Sequence, residues 1–148
     1  VMYSVVEPGN VDTIIATSDG QGGWQRRSLK RELNKAWKGY TMRTPGVVAF
    51  DQTGVLHGVA QLQTVAREKT IWGDPTNEVA GFTISGPDSS VGFHAVSRFD
   101  SQASHWLPNI ERPTGHNLVP VKPGVIYTGG SPGSKNTELV RNKVYWGT

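Results

Sequence analysis

Apolar and polar residues alternate with a period of two along most of this chain, which is typical of β-strands. The segment 55–66 shows the alternation most clearly. One of its sides carries Leu56, Gly58, Ala60, Leu62, Thr64 and Ala66, and the other carries His57, Gln61 and Gln63. The pattern therefore predicts a strand with one side facing a hydrophobic core.

Eight or nine short strands follow from this period and from the turn residues between the segments. The predicted strands span residues 1–6, 11–17, 47–50, 55–66, 79–85, 91–99, 117–121, 124–128 and 139–146. Asp51 and Gly54 stand at the first and fourth positions of a type I turn, whereas the irregular stretch 100–115 predicts a long loop. Short strands at this density favour a mainly β domain, a sandwich or barrel, spanning residues 1–148.

The segment 24–40 is the exception, because its apolar residues recur with the period of a helix. Leu29, Leu33, Trp37 and Tyr40 are spaced by four, four and three positions, which places them on one side of an amphipathic helix. Gly39 fits a left-handed helix terminus. We therefore expect one amphipathic helix, inserted among the strands near residues 24–40.

The opposite face of that predicted helix is strongly cationic. It carries Arg26, Arg27, Lys30, Arg31, Lys35 and Lys38. The net charge of the chain is +3, yet residues 24–43 hold seven basic residues and one acid, leaving eight basic and eleven acidic residues elsewhere. Such asymmetry points to a nucleic acid or an acidic protein surface as partner. The alternative is a basic face that is simply solvated.

A glycine-rich loop precedes the predicted helix and is a candidate anion site. Gly20, Gly22 and Gly23 lie before a helix start whose backbone N–H groups suit a phosphate or carboxylate. The dinucleotide fingerprint is incomplete, because Gln25 stands where its third glycine belongs. A purely structural loop is the alternative.

Three of the four histidines, His94, His105 and His116, recur every eleven residues. They fall on different predicted elements, so their spacing predicts no metal site. His94 with either His105 or His116 is a candidate general acid and base pair for metal-independent RNA cleavage, with Asp100 orienting one imidazole. Hydrogen-bonded structural histidines are the alternative.

Three of the five tryptophans are candidates for a glycan-binding surface, since an indole packs on the apolar face of a sugar ring. They are Trp72, Trp106 and Trp146. A β-sheet core uses tryptophan equally well, so the sequence leaves both interpretations open.

Composition narrows the choice of function. The 148 residues contain no cysteine, which excludes a thiol nucleophile and a thiolate metal site. No apolar run approaches the ~18 residues of a membrane span, so we expect a soluble protein, with a virion or extracellular location compatible. We expect no cofactor.

These features favour a non-enzymatic structural, assembly or receptor-binding subunit of virion or phage type, in which the loops and the terminal strand make contacts between copies of the chain. Its basic helix would then contact a polyanion or an acidic neighbouring subunit. Two other classes stay open: a toxin-like ribonuclease that uses histidines, and a lectin-like glycan-binding module.

Overall fold

The computed structural model describes residues 1–7, 10–64, 73–100, 102–134 and 141–148. Within these ranges it contains ten strands and one helix. In chain order they are β1 (Met2–Glu7), β2 (Asn10–Ser18), β3 (Trp24–Ser28), α1 (Lys30–Ala36), β4 (Tyr40–Phe50), β5 (Leu56–Thr64), β6 (Glu78–Ile84), β7 (Gly92–Ala95), β8 (Ser104–Ile110), β9 (Val125–Gly130) and β10 (Asn142–Gly147). The prediction of a mainly β chain with one helix is confirmed.

The strands form three antiparallel sheets. The N-terminal sheet has the order β1-β2-β3, the central sheet β4-β5-β6-β7, and the C-terminal sheet β10-β9-β8. Each sheet joins strands that are adjacent along the described chain, as expected for hairpin connections.

Both faces of the central sheet are buried, each in its own hydrophobic core. On one face Leu56, Ala60 and Leu62 pack with residues of the N-terminal sheet and of α1. On the other face Val59 packs with residues of β8 and β9. The expectation that only one side of the 55–66 segment faces a core was therefore wrong. Its polar side is buried as well, with Gln61 at 0% exposure.

The helix lies within the predicted stretch but is much shorter than expected. Trp24–Ser28 is strand β3, which pairs with β2 so that Arg27 lies opposite Ile15. The helix begins only after Ser28, where Asp12 of β2 accepts hydrogen bonds from the Ser28 hydroxyl (2.6 Å) and from the Lys30 backbone N–H (3.2 Å). A carboxylate at this position satisfies a helix-start donor and complements the helix dipole.

The predicted apolar stripe of the helix segment is buried. Leu29 and Leu33 are 0% and 1% exposed. Trp37 stacks on Phe99 with ring centroids 5.0 Å apart, and Tyr40 lies 5.6 Å from the same ring. Gly39 has the predicted positive φ, 86°, but it lies in the turn after the helix, because α1 ends at Ala36 and its C-cap, Trp37, is extended.

Two segments of the second half differ from expectation. Strand β8 occupies part of the predicted 100–115 loop. It pairs with β9, and the register of this pairing is interrupted by an irregularity between Trp106 and Asn109. Leu107, inside that irregularity, has a φ of 51°, a backbone conformation that no alternation of residue types reveals. Conversely, the predicted strand at 117–121 is irregular coil.

Candidate functional site

The turn between β4 and β5 fixes the side chain of His57. Asp51 is buried, and its Oδ1 accepts hydrogen bonds from the Thr53 hydroxyl (2.7 Å), the Thr53 N–H (2.7 Å) and the Val55 N–H (3.1 Å). These bonds, the Thr53 hydroxyl foremost, hold the pKa of Asp51 well below its usual range. Asp51 Oδ2 lies 2.8 Å from His57 Nε2. Because a carboxylate only accepts, Nε2 carries a hydrogen and the ring is fixed in one orientation.

His94 faces the same side of the central sheet as His57. His57 pairs with Thr83, and His94 pairs with Gly81, two positions away on β6. A side chain on residue 81 would collide with the His94 ring, so the glycine lets the imidazole lie against the strand. His94 is exposed on its outer side. Burial of its inner side lowers the pKa of His94, with a smaller contribution from His57.

The two histidines line one cleft between the central sheet and the chain around β9. Its volume is about 300 Å³. Val59, Ile110 and Val125 form apolar walls, and Thr83, Lys122, Thr148 and the two imidazoles supply polar groups. The cleft thus combines an apolar interior with neutral or cationic polar groups.

His105, the second predicted histidine, is buried away from this cleft. It is 6% exposed, and its Nδ1 lies 2.9 Å from Glu78 Oε2. The ring meets Tyr127 and Tyr145 edge-on, at 5.5 and 5.7 Å between centroids. In this setting His105 is a hydrogen-bonded structural residue.

His116 and Asp100 lie on exposed segments. The His116 backbone N–H donates to Thr114 Oγ1 at 3.2 Å, and Asp100 Oδ1 accepts a hydrogen bond from the Gln102 N–H at 3.0 Å. Neither residue, nor His105, is among the described residues lining the cleft with His94. The described part of the chain contains no group of three or more side chains arranged to hold a metal ion.

The six predicted basic residues are divided between two elements. Arg26 and Arg27 lie on β3, whereas Lys30, Arg31 and Lys35 lie on α1 and Lys38 follows it. The exposed members are Arg26, Arg31, Lys35 and Lys38.

Lys35 and Arg27, among others, already have partners. Lys35 forms an exposed ion pair with Glu32 at 3.0 Å, and its hydrogen bond lowers the pKa of Glu32. Arg27 Nη1 lies 3.5 Å from the Pro87 carbonyl oxygen. The predicted helical face is therefore divided between a strand and the helix that follows it in the chain, and we call its exposed residues, Arg26, Arg31, Lys35 and Lys38, the cationic surface.

The glycine loop does not precede a helix but forms the turn between β2 and β3. Asp19 Oδ1 accepts hydrogen bonds from the N–H groups of Gln21 (2.8 Å) and Gly23 (2.9 Å), and the Gly20 N–H donates to Ser18 Oγ at 3.1 Å. A side chain on residue 23 would collide with the Asp19 carboxylate. The donors of Gln21 and Gly23 thus already bind the chain's own carboxylate. Gly20 and Gly22 have positive φ, so their conformation is a requirement of the turn.

The three tryptophan candidates have different surroundings. Trp72 lies outside the described residues. Trp106 is 0% exposed, so it has no face open to a glycan. Trp146 is 70% exposed and packs against Gly124, where any side chain would collide with the indole.

Trp146 belongs to an exposed apolar surface on the outer face of the C-terminal sheet. It pairs directly with Ile126 of β9, which is 44% exposed, and Val144 on the same face of β10 is 70% exposed. The alternate residues Tyr145 and Tyr127 point inward and stack at 5.4 Å. We call Ile126, Val144 and Trp146 the outer apolar surface.

Sequence analysis gave His57 no role, although a hydrogen bond to Asp51 fixes the orientation of its ring in the cleft. Two local signals were present: the Asp51 turn, and the position of His57 on the polar side of β5. What was missing is the strand register that brings His94 next to it.

No family model, curated protein or solved structure matches this chain. None of the described helices is long and apolar enough to cross a membrane.

Proposed function

We propose that this chain is a non-enzymatic structural subunit of virion or phage type that associates with copies of itself through β10. The observation that carries the proposal is the outer apolar surface. Val144 and Trp146 are each 70% exposed on adjacent outward positions of one strand, with Ile126 beside them. Contiguous apolar surfaces of this kind on a folded protein mark interaction sites.

The backbone of β10 supports a second copy of the chain as the partner. Among the described strands β10 pairs only with β9, so it lies at the edge of its sheet. Edge strands of monomeric proteins are protected by proline, by bulges or by several charges. From Asn142 to Gly147 β10 has no proline and only one charged residue, Lys143. Antiparallel pairing of two β10 strands about a twofold axis would join two outer apolar surfaces.

The cationic surface supports the other half of the proposal. Arg26 on β3, Arg31 and Lys35 on α1 and Lys38 just after it are all exposed, within 13 consecutive positions of the chain. We assign this surface to contact with a polyanion or with an acidic surface of a neighbouring subunit. A nucleic acid held in this way would be bound through its phosphates, with weak preference for sequence.

Light scattering at several protein concentrations tests the assembly. We expect an oligomer that becomes monomeric when Val144 and Trp146 are both replaced by serine. Replacing Trp24 by serine is the matched control, because Trp24 is 56% exposed on β3 of another sheet. A monomeric wild-type chain at all concentrations would contradict the proposal, and so would an oligomer unaffected by the double substitution.

Glycan binding is a second candidate, favoured by the geometry of Trp146. One part of its indole rests on Gly124 while most of the ring is open, an arrangement suited to stacking on a sugar. A glycan array distinguishes the candidates: saturable binding lost in Trp146→Ser but retained in Trp24→Ser would assign the ring to a glycan.

The ribonuclease alternative is tested on the same protein. Metal-independent RNA cleavage that disappears in His94→Gln would replace the non-enzymatic proposal. The control is His116→Gln, which changes an exposed histidine outside the cleft.

A further inference from the structure

We propose that the cleft between His57 and His94 binds a small organic anion, with its apolar body inside the cleft and its anionic group at Lys122 and His94. The inference rests on the composition of the cleft walls, and it is independent of the proposed assembly through β10.

The interior of the cleft suits an apolar group of the size of one ring. Its volume of about 300 Å³ is at the lower end of the roughly 300–1,000 Å³ range of small-molecule sites. Val59 is 1% exposed, and Ile110 and Val125 are 5% and 2% exposed. These side chains are fixed in the cores, so the walls exist before a ligand arrives. A ligand ring would displace water from apolar surface there.

The polar groups of the cleft favour a negative charge. Among the described residues lining it, Lys122 is cationic, the imidazoles of His57 and His94 offer polar ring nitrogens, and Thr83 and Thr148 offer hydroxyls. No aspartate or glutamate side chain lines the cleft in the described part of the chain. A carboxylate or phosphate would therefore meet donors without a repelling side-chain carboxylate.

One of these polar groups is already positioned. His57 Nε2 donates a hydrogen bond to the Asp51 carboxylate at 2.8 Å. The same carboxylate accepts hydrogen bonds from the backbone N–H groups of Thr53 and Val55. A ring whose orientation is set before binding loses little freedom when the ligand arrives.

Phenyl phosphate is a suitable probe, because it joins an aromatic ring to an anion. In an NMR titration we expect it to bind with a Kd of about 1 mM, the scale for a ligand of that size. Resonances of Val59, Ile110 and Val125 should shift. Inorganic phosphate lacks the ring and benzyl alcohol lacks the charge, so each should bind about tenfold more weakly.

Variants of exposed residues test the location. Val121 lines the cleft and is 51% exposed, so Val121→Trp should block the cleft without disturbing the core. Leu118→Trp is the matched control, since Leu118 is 72% exposed nearby in the chain and does not line the cleft. Lys122→Gln and His94→Gln should each weaken binding about tenfold, whereas His116→Gln should leave it unchanged.

The proposal is overturned if phenyl phosphate shifts none of the cleft resonances at a concentration well above 1 mM. It is also overturned if Val121→Trp and Leu118→Trp bind the probe equally well, or if benzyl alcohol binds as tightly as phenyl phosphate.

Discussion

His105 Nδ1 lies 2.9 Å from Glu78 Oε2 in the interior of the protein, where Glu78 is 0% exposed. The same carboxylate oxygen accepts a hydrogen bond from the Ser97 hydroxyl, which in turn accepts one from the Val79 N–H. Glu78 Oε1 has no hydrogen-bond partner among the described residues. The pair joins β6 of the central sheet to β8 of the C-terminal sheet, so a buried polar contact links two layers.

Replacing His105 by leucine should destabilise the fold by about 3–5 kcal/mol, because the buried Glu78 carboxylate would lose one of its two side-chain partners. Chemical denaturation measures the change in the free energy of unfolding. Replacing Glu78 and His105 together by leucine should cost less than His105→Leu alone, since no buried carboxylate remains. A double variant at least as unstable as the single variant would show that the carboxylate is tolerated without the imidazole.

Leu33→Ala should reduce the free energy of unfolding by about 2–5 kcal/mol. Leu33 is 1% exposed and is the buried residue that α1 itself contributes to the core. Asn34→Ala is the matched control on the same helix, and because Asn34 is exposed it should change stability by no more than about 0.5 kcal/mol. Equal effects of the two substitutions would mean that α1 is peripheral to the fold.

Asp51→Asn should lower the melting temperature near neutral pH. The pKa of Asp51 is held below its ordinary value of 3.8, so the folded state favours the ionised carboxylate. This contribution to stability is complete well above pH 3.8 and is lost as the pH falls below it, because the unfolded chain then binds the proton first. The difference in melting temperature between the two proteins should therefore shrink in acid. A difference that stays constant down to acid pH would contradict the assignment.

Replacing Arg26 and Arg31 together by glutamate should weaken binding to nucleic acid or assembly while leaving the melting temperature nearly unchanged. Both residues are exposed, and exposed charges contribute only ~0–1 kcal/mol to folding. For a nucleic acid, the logarithm of affinity should fall with the logarithm of salt at about −0.7 to −0.9 per phosphate contact.

Arg98→Glu with Arg112→Glu is the matched control for this experiment, because it reverses two exposed charges elsewhere on the surface. If the two double reversals weaken binding equally, net charge alone accounts for the interaction. If the Arg26 and Arg31 variant binds and assembles like the wild type, the cationic surface is merely solvated.

The sequence predicted most strands because alternation and turn residues are local signals. It predicted the apolar stripe of α1 for the same reason, and Leu29 and Leu33 are indeed buried. It did not reveal that Trp24–Ser28 is a strand, because pairing with β2 and the Asp12 hydrogen bonds outweigh a helical pattern in that stretch. Tertiary contacts of this kind cannot be predicted from the periodicity of apolar residues, which is a local signal.

The candidate site was harder to predict than the fold, because it depends on register. The regular spacing of His94, His105 and His116 along the sequence does not correspond to proximity in the fold, because only His94 lines the cleft. His57 and His94 lie 37 positions apart in the chain, yet they flank β6 on one face because of how β5 and β7 pair with it. A single-residue slip in either pairing would send one imidazole to the opposite face.

The burial of both faces of the central sheet makes the two outer layers dependent on each other. The N-terminal sheet with α1 covers one face and the C-terminal sheet covers the other, so Leu56, Ala60 and Leu62 of β5 lie in one core and Val59 of the same strand lies in the other. Opening of either outer layer would expose one side of the same strand to water. We therefore expect the backbone amides of β5 to be among the last to exchange with deuterium, and the layers to melt as one cooperative unit.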